Sequence, residues 1–242
     1  MLIPVSTVRE CAIAGPAEDH LGRVRDVYFD DRRFHVRHLV AEIGHWPAHR
    51  LVLVSPWSVR RIDLPARVVQ TDLGGDELTR SPDAECDRPV SRQRHVELAR
   101  YYGFYGFPYQ WPEATVATMS PPVRRRGDRH LRSARALVGY YVHADDDDVG
   151  HVADFLFGDA AWEIRHVVVA LGHGIARRRV LVPAGWVSRV SWDAAAITLA
   201  LPGRVVAAAP TYVPAEAPGP ELEARLTRRR QLLETLQAER NR

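Results

Sequence analysis

Two stretches of the chain, Leu21–Ile43 and Val149–Leu171, carry the same order of hydrophobic and polar positions. In the first half of the second stretch, apolar residues alternate with polar ones, which is typical of a half-buried strand. Its second half, Trp162–Ala170, is rich in the β-branched and aromatic residues that strands favour. Gly158-Asp159 lies between these halves, so the pattern predicts two strands joined by a tight turn.

The two stretches are copies of one unit. Matching residues recur at constant spacing, and the agreement continues without a gap to Pro82 in the first copy and Pro210 in the second. The recurring residues are Gly22, Val24, Asp26, Phe29, Asp31, Arg37, His38, Val40 and Gly44, which return as Gly150, Val152, Asp154, Phe157, Asp159, Arg165, His166, Val168 and Gly172. Self-similarity over this length indicates one β unit that occurs twice.

Further elements are predicted outside the paired strands. Met1–Ile13 is predicted as the first strand of the first unit, and Leu137–His143 as the first strand of the second. Ser91–Tyr102 has apolar residues at helical spacing and favours a short helix. Pro220–Arg242 predicts a C-terminal helix whose apolar side, interrupted by a charged residue at position 229, consists of Leu222, Leu226, Leu233 and Leu236.

The length and the duplication divide the chain into two domains. At 242 residues it fits one or two domains of ordinary size, and the repeat decides for two. We place the first at residues 1–112, a proline- and arginine-rich linker at 113–130, and the second at 131–242. Because each unit carries its own apolar strands, we expect Met1–Trp111 to fold when it is expressed alone.

Composition indicates a cytoplasmic protein. All the basic residues are arginine, which is typical of a GC-rich bacterial genome, and the net charge of +3 is small. Two cysteines without metal-ligand spacing argue for a reducing compartment. No apolar run approaches the roughly 18 residues of a membrane span. The first residues show no signal peptide, so we expect no membrane segment and a cytoplasmic location.

An acidic cluster is the strongest candidate for a metal site. Histidines flank a run of aspartates, and the candidate ligands are His143, Asp146, Asp148 and His151. Carboxylate oxygens suit calcium, but the run lacks the glycine and the terminal glutamate of an EF-hand loop. The flanking residues predict a hairpin, which would direct the carboxylates into solvent. We therefore expect no metal and no cofactor.

The sequence carries no motif that favours an enzyme. Ser55 and Ser188 have neither a nucleophile elbow nor a nearby acid–base set, and no glycine-rich phosphate loop or zinc spacing is present. Arginine clusters at Arg124–Arg126, Arg177–Arg179 and Arg228–Arg230, with aromatic residues close to the first, leave RNA binding as an alternative.

An aromatic tract after the first unit is the best candidate for an interaction surface. So many rings would leave a large apolar area in water, so they must cover another surface. With the leucines of the C-terminal helix, the candidate contact residues are Tyr101, Tyr102, Phe104, Tyr105, Phe107, Tyr109, Trp111, Leu226 and Leu233. The tract either packs within the chain, where it covers the first unit or fills the groove between the two units, or it contacts a second copy of the chain.

These motifs resemble a known family. Gly-x-Val-x-Asp-x-x-Phe, followed by Ile/Val-Arg-x-Leu/Val-Val and then by Val52-Leu53-Val54-Ser55-Pro56, is similar to the PRC-barrel domain. The segments Ser81-Pro82-Asp83 and Arg100–Gly103 are similar to bacterial proteins with two such domains in tandem. The family includes the cytoplasmic domain of the photosynthetic reaction centre H subunit and a domain of a ribosome maturation factor.

The resemblance implies an all-β fold of two small antiparallel barrels, each of about six strands, with short helical extensions and a C-terminal helix. It implies a non-catalytic module for protein interaction or scaffolding. The alternatives are an RNA- or ribosome-associated factor and a soluble relative of the H subunit that assists a membrane electron-transfer complex. The H subunit's membrane helix and the maturation factor's additional domain have no counterpart in this sequence.

Three further expectations follow from the residues. We expect a protein partner and self-association, most simply as a symmetric dimer, through the aromatic tract and the C-terminal helix. We expect His38 and His166 to pack inward between apolar neighbours on their strands. We expect Gly→Val at Gly22 or Gly150 to be destabilising, since each begins a strand after a turn and a side chain there would meet a neighbouring backbone or an unsuitable φ.

Overall fold

The chain forms two seven-stranded sheets connected by short helical turns. A computed structural model describes residues 1–17, 19–44, 49–86, 89, 128–172 and 178–213. Most of the described residues in elements lie in strands, which confirms the expected β-rich fold. Each sheet has one strand more than the six that the resemblance implied.

The first sheet has the order β5-β4-β3-β2-β7-β6, with β8 paired to β3. Its strands are β2 (Ala12–Ala14), β3 (His20–Asp30), β4 (Val36–Ile43), β5 (Arg50–Val54), β6 (Val59–Asp63), β7 (Val68–Thr71) and β8 (Leu131–Ser133). All pairs are antiparallel except β2 with β7. A 3-10 turn (Pro56–Ser58) follows β5 in place of a hairpin, and so β6 and β7 join the opposite end of the sheet.

The second sheet repeats this order as β12-β11-β10-β9-β14-β13, with β1 paired to β10. Its strands are β1 (Leu2–Pro4), β9 (Tyr141–His143), β10 (Asp148–Gly158), β11 (Glu163–Leu171), β12 (Arg178–Pro183), β13 (Val187–Ser191) and β14 (Ala196–Leu199). The short helices are α1 (Val5–Val8), α2 (Gly75–Arg80), α3 (Ala134–Leu137) and α4 (Gly203–Ala207), with further 3-10 turns at Ala84–Cys86 and Ala184–Trp186.

The two halves of the chain exchange their first strands. In β1, Leu2 is opposite Gly158 of the second sheet, and in β8, Leu131 is opposite Asp30 of the first. Helix α1 then packs on β10 and helix α3 on β3 before the chain returns to its own half. A division of the chain at the linker therefore separates strands that belong to one sheet, which argues against independent folding of Met1–Trp111.

The predicted first strands are interrupted. Met1–Ile13 is a strand, a helical turn and a second strand, and Leu137–His143 contains the end of α3 as well as β9. Val5 and Val8, at helical spacing, both point into the core. In each case the helical turn connects a strand of one sheet to a strand of the other.

One hydrophobic cluster extends through both halves. Phe29 of the first sheet and Phe155 of the second are both buried, and their ring centroids lie 5.4 Å apart. The two β-turns also meet, because the N–H of Val36 donates to the carbonyl of Trp162 at 2.7 Å and that of Ile164 to the carbonyl of Phe34 at 2.6 Å. The described residues thus form a single folded unit with internal pseudo-twofold symmetry.

Candidate interaction surface

The predicted contact residues of the aromatic tract and the C-terminal helix lie outside the described part of the chain. This applies to Tyr101, Tyr102, Phe104, Tyr105, Phe107, Tyr109, Trp111, Leu226 and Leu233. Their contacts remain predictions, and the surface described below consists of other residues.

The candidate metal ligands serve separate structural contacts. His143 Nδ1 is hydrogen bonded to the carboxylate of Asp148, while Asp146 Oδ1 accepts from the N–H of Gly203 at 2.6 Å. The ring of His151 packs against that of Tyr141, with centroids 4.8 Å apart. Among the described residues, no group of three or more His, Cys, Asp or Glu is arranged to hold a metal ion.

A row of side chains crosses four strands of the second sheet. The register places Tyr141 opposite His151, His151 opposite Ala170, and Ala170 opposite Arg179. Residues directly opposite each other share one face of a sheet. Two aromatic rings, a small residue and a guanidinium therefore stand side by side across β9, β10, β11 and β12.

This row borders an open groove of about 520 Å³. We call the aliphatic lining residues the floor of the groove and the imidazole and the guanidinium its walls; the lining residues are Val138, Gly139, His151, Val152, Ala153, Ala170 and Arg179. Val138 is 45% exposed and Tyr141 53% exposed. Two exposed side chains, one aliphatic and one aromatic, thus lie at this concave surface, which makes it a candidate interaction site.

Charged side chains cover the corresponding surface of the first sheet. There the matching row is Ala12, Arg23, Glu42 and Leu51. The Arg25 side chain, at the position of Ala153, forms an ion pair with Glu42, at the position of Ala170. The two sheets have the same strand order. The groove of the second sheet therefore arises because alanines replace this arginine and glutamate.

The groove is next to the end of the described chain. The N–H of Tyr212 donates to the carbonyl of Arg179 at 2.8 Å, and Thr211 bridges to Val180. Tyr212 is buried against Leu2, Leu156 and other apolar residues of the sheet, whereas Val213 is 45% exposed. Burial raises the pKa of Tyr212 to about 12, so its phenol is neutral.

Two buried carboxylates hold the exchanged segments. Asp26 Oδ2 accepts from the Ser133 hydroxyl at 2.5 Å and its Oδ1 from the N–H of Arg135 at 3.1 Å. Asp154 accepts in the same way from the hydroxyl and the N–H of Ser6, the latter at 3.1 Å. Burial raises the pKa of both aspartates, although these hydrogen bonds lower it in part. Each carboxylate thus fixes the turn that follows the strand from the other half.

The two matching histidines, His38 and His166, do not pack inward as expected. His38 lies opposite Tyr28 and His166 opposite Leu156, residues that belong to two small apolar clusters separate from the main core. The histidines therefore face away from the main core. Bulges in the strand pairs shift the face on which residues of β4 and β11 lie.

A second exposed aromatic residue lies on the first half of the chain. Trp57 is 92% exposed, and its backbone N–H donates to Ser55 Oγ at 3.3 Å within the 3-10 turn. Gly185 occupies the matching position in the second repeat, so this tryptophan is not part of the shared core.

Sequence reasoning missed both the groove and Trp57. The signal for the groove was present in the repeat alignment, where Arg25 and Glu42 become Ala153 and Ala170. Such differences between the copies mark where two similar folds acquire different surfaces.

A scan of known protein-family models finds none that matches the chain, and a search of curated proteins finds no match. Among the residues that the structure describes, no helix is long and apolar enough to cross a bilayer.

Proposed function

We propose that the chain is a non-catalytic module for protein interaction, and that the groove of the second sheet is its contact surface. The observation that carries this proposal is the difference between the repeats. In the first sheet, the ion pair of Arg25 and Glu42 covers the surface that corresponds to the groove. The second sheet instead exposes Val138 and Tyr141 around the floor of the groove. Aromatic residues beside an arginine are typical of the energetically dominant part of an interface.

The roles of the buried polar groups support a non-catalytic function. Asp26 and Asp154 are buried, and each is engaged by a serine and by backbone N–H groups. The phenol of Tyr212, whose pKa burial raises to about 12, is held neutral beside the groove. These groups stabilise the connection between the halves.

The architecture that the resemblance implied is part of the proposal. Each sheet would be the wall of a small PRC-type barrel in a cytoplasmic protein. The bulges at Asp26 and Asp154 support this arrangement, because a bulge bends a long strand and increases its twist. The duplicated strand order supports the tandem form.

Substitution of the groove tests the proposed function. Affinity-tagged wild-type chain and the Tyr141→Ala/Arg179→Ala variant are recovered from the native cell, and the proteins bound to each are quantified. The proposal expects a specific partner to be lost from the variant and retained by Trp57→Ala, a control at the other exposed aromatic residue. Equal recovery of the same proteins by the groove variant would overturn it.

RNA binding is the second candidate. The rings of Tyr141 and His151 beside Arg179 form a surface on which a base could stack near a phosphate contact. A salt titration of binding to mixed single-stranded RNA separates the candidates, since phosphate contacts give a steep loss of affinity with salt. Binding that is steeply salt-dependent and lost in Tyr141→Ala would favour RNA over a protein partner.

A further inference from the structure

We propose that the C-terminal segment Pro220–Arg242 docks into the groove of the second sheet of its own chain. Because the segment belongs to the same chain, its docking requires no external partner. It names an occupant for the groove that the sequence itself supplies.

The position of Val213 is the first argument. The preceding residue, Tyr212, is tied by its N–H to the carbonyl of Arg179, a residue of the groove wall. The connector 214–219 can extend to roughly 20 Å at most. The row from Tyr141 to Arg179 is roughly 14 Å wide at the usual spacing of strands. The start of Pro220–Arg242 is therefore within reach of the whole groove.

The distribution of exposed apolar residues is the second argument. Five large hydrophobic residues of the described chain are exposed, namely Met1, Trp57, Val138, Tyr141 and Val213. Val138 lines the groove, the ring of Tyr141 packs at an angle against that of His151 in its wall, and Val213 follows the residue bonded to Arg179. Apolar exposure is thus concentrated between the groove and the point from which the C-terminal segment continues.

The chemistry of the segment is the third argument. Leu222, Leu226, Leu233 and Leu236 share one side of the predicted helix, which matches a floor made of Val138, Ala153 and Ala170. Glu223 and Glu234 each follow a leucine and can pair with Arg179. Among the described residues, no carboxylate forms an ion pair with this arginine. Most helices in proteins depend on the packing of such an apolar side for their stability.

The repeat provides the variant for the test. Ala153→Arg with Ala170→Glu places in the second sheet the ion pair that Arg25 and Glu42 form in the first. The same backbone position already accepts these side chains in the other repeat, so the substitution fills the groove without a requirement for a new backbone conformation. Ala160→Arg, at an exposed turn residue, is the matched control.

Hydrogen exchange of the full chain, followed by mass spectrometry, measures docking directly. We expect amides within Pro220–Arg242 to exchange at least about tenfold more slowly than in the isolated peptide of the same sequence, since docking suppresses local opening. Ala153→Arg/Ala170→Glu is expected to remove this protection, and Ala160→Arg to retain it. Light scattering at the same protein concentration reports whether the chain is a monomer.

Three results would overturn the inference. The first is exchange of the segment in the wild-type chain at the rate of the free peptide. The second is protection that the groove variant retains. The third is protection that disappears on dilution together with a dimer, which would assign the segment to the groove of a second copy. If Ala153→Arg/Ala170→Glu loses an external partner while the amides of Pro220–Arg242 exchange as in wild type, the proposed function is supported and this inference is rejected.

Discussion

Single buried carboxylates have a structural role in this protein that their position in a strand pattern does not reveal. Asp26 and Asp154 sit at bulges and receive hydrogen bonds from the segment contributed by the other half of the chain. Burial raises their pKa, because the charged form loses hydration. Protonation of these residues is therefore favoured in the folded state relative to the unfolded chain.

The raised pKa values predict a pH dependence of stability. Preferential proton binding by the folded state stabilises it. This contribution is complete below the unfolded carboxyl pKa of 3.8 and is lost as the pH rises through the higher pKa of the folded state. The free energy of unfolding of wild type minus that of Asp26→Asn should therefore fall with rising pH, by at most about 1.4 kcal/mol per pH unit. Denaturant unfolding at several pH values measures this difference.

Asp30→Asn is a control of opposite sign. Although burial alone would raise the pKa of Asp30, the N–H groups of Arg33 and Arg32 and the charge of Arg37 lower it overall. The stability that its charge contributes is present above the unfolded pKa and lost as the pH falls. The corresponding difference for Asp30→Asn should rise with pH, and a parallel trend for both variants would contradict the assignment.

Two glycines are required by close contact between strands. A Cβ at Gly22 would overlap the carbonyl oxygen of Glu42, and one at Gly150 would overlap that of Ala170. Gly150 also has a φ of +150°, a backbone conformation that residues with a side chain rarely adopt. We expect Gly150→Ala to lower the free energy of unfolding by roughly 2 kcal/mol or more.

Gly185→Ala is the matched control for this substitution. A Cβ at Gly185 meets no atom within 4 Å, and its φ is not positive. Thermal unfolding should shift by several degrees in Gly150→Ala and hardly at all in Gly185→Ala. Equal melting of the two variants would show that the contact between β10 and β11 does not require glycine.

At the scale of elements, very short strands decide how the two sheets are connected. Strand β1 buries Leu2 against Leu156, Val168 and Leu181 of the second sheet. Strand β8 buries Leu131 against Tyr28, Val40 and Leu53 of the first. These outer clusters are equivalent, and each depends on a side chain from the other half of the chain.

Leu2→Ala and Leu131→Ala form a matched pair that tests the exchange. Each removes a buried leucine and should lower the free energy of unfolding by about 2–5 kcal/mol. Hydrogen exchange should show faster opening of β10 in Leu2→Ala and of β3 in Leu131→Ala. The reverse assignment, with Leu2→Ala affecting β3, would contradict the observed pairing.

At the scale of the whole molecule, the exchange makes the two halves depend on each other. The main core includes residues of both sheets. The carbonyls of the turn residues Phe34 and Trp162 accept hydrogen bonds from N–H groups of the opposite half, those of Ile164 and Val36. Without its partner, a half would expose the edge of its longest strand and an apolar patch beside it. The linker joins two halves that are already held together by exchanged strands.

Fragments 1–86 and 128–213 test this dependence. We expect neither fragment alone to unfold cooperatively as a monomer, because each lacks the strand that covers its sheet. An equimolar mixture should form a one-to-one complex with a single unfolding transition, as measured by circular dichroism and light scattering. A cooperatively folded monomer of fragment 1–86 would restore the original expectation of independent halves.

Much of the fold could be predicted because local pattern and duplication encode it. The hairpins around Asp31–Phe34 and Asp159–Trp162, the strand at Arg50–Val54 and the 3-10 turn at Pro56 are set by residues close in sequence. Constant spacing between the copies predicted that the second half repeats the first. These features follow from backbone sterics and side-chain alternation, which act between neighbouring residues.

Only the tertiary structure decided which sheet receives β1 and β8, and which surface stays open. A strand of three residues has no pairing preference of its own, so the choice depends on packing with residues from the other half of the chain. The groove likewise requires Tyr141, His151, Ala170 and Arg179 to align across four strands. No local pattern specifies such a row, because its members become neighbours only when strand register and bulges are set by the folded core.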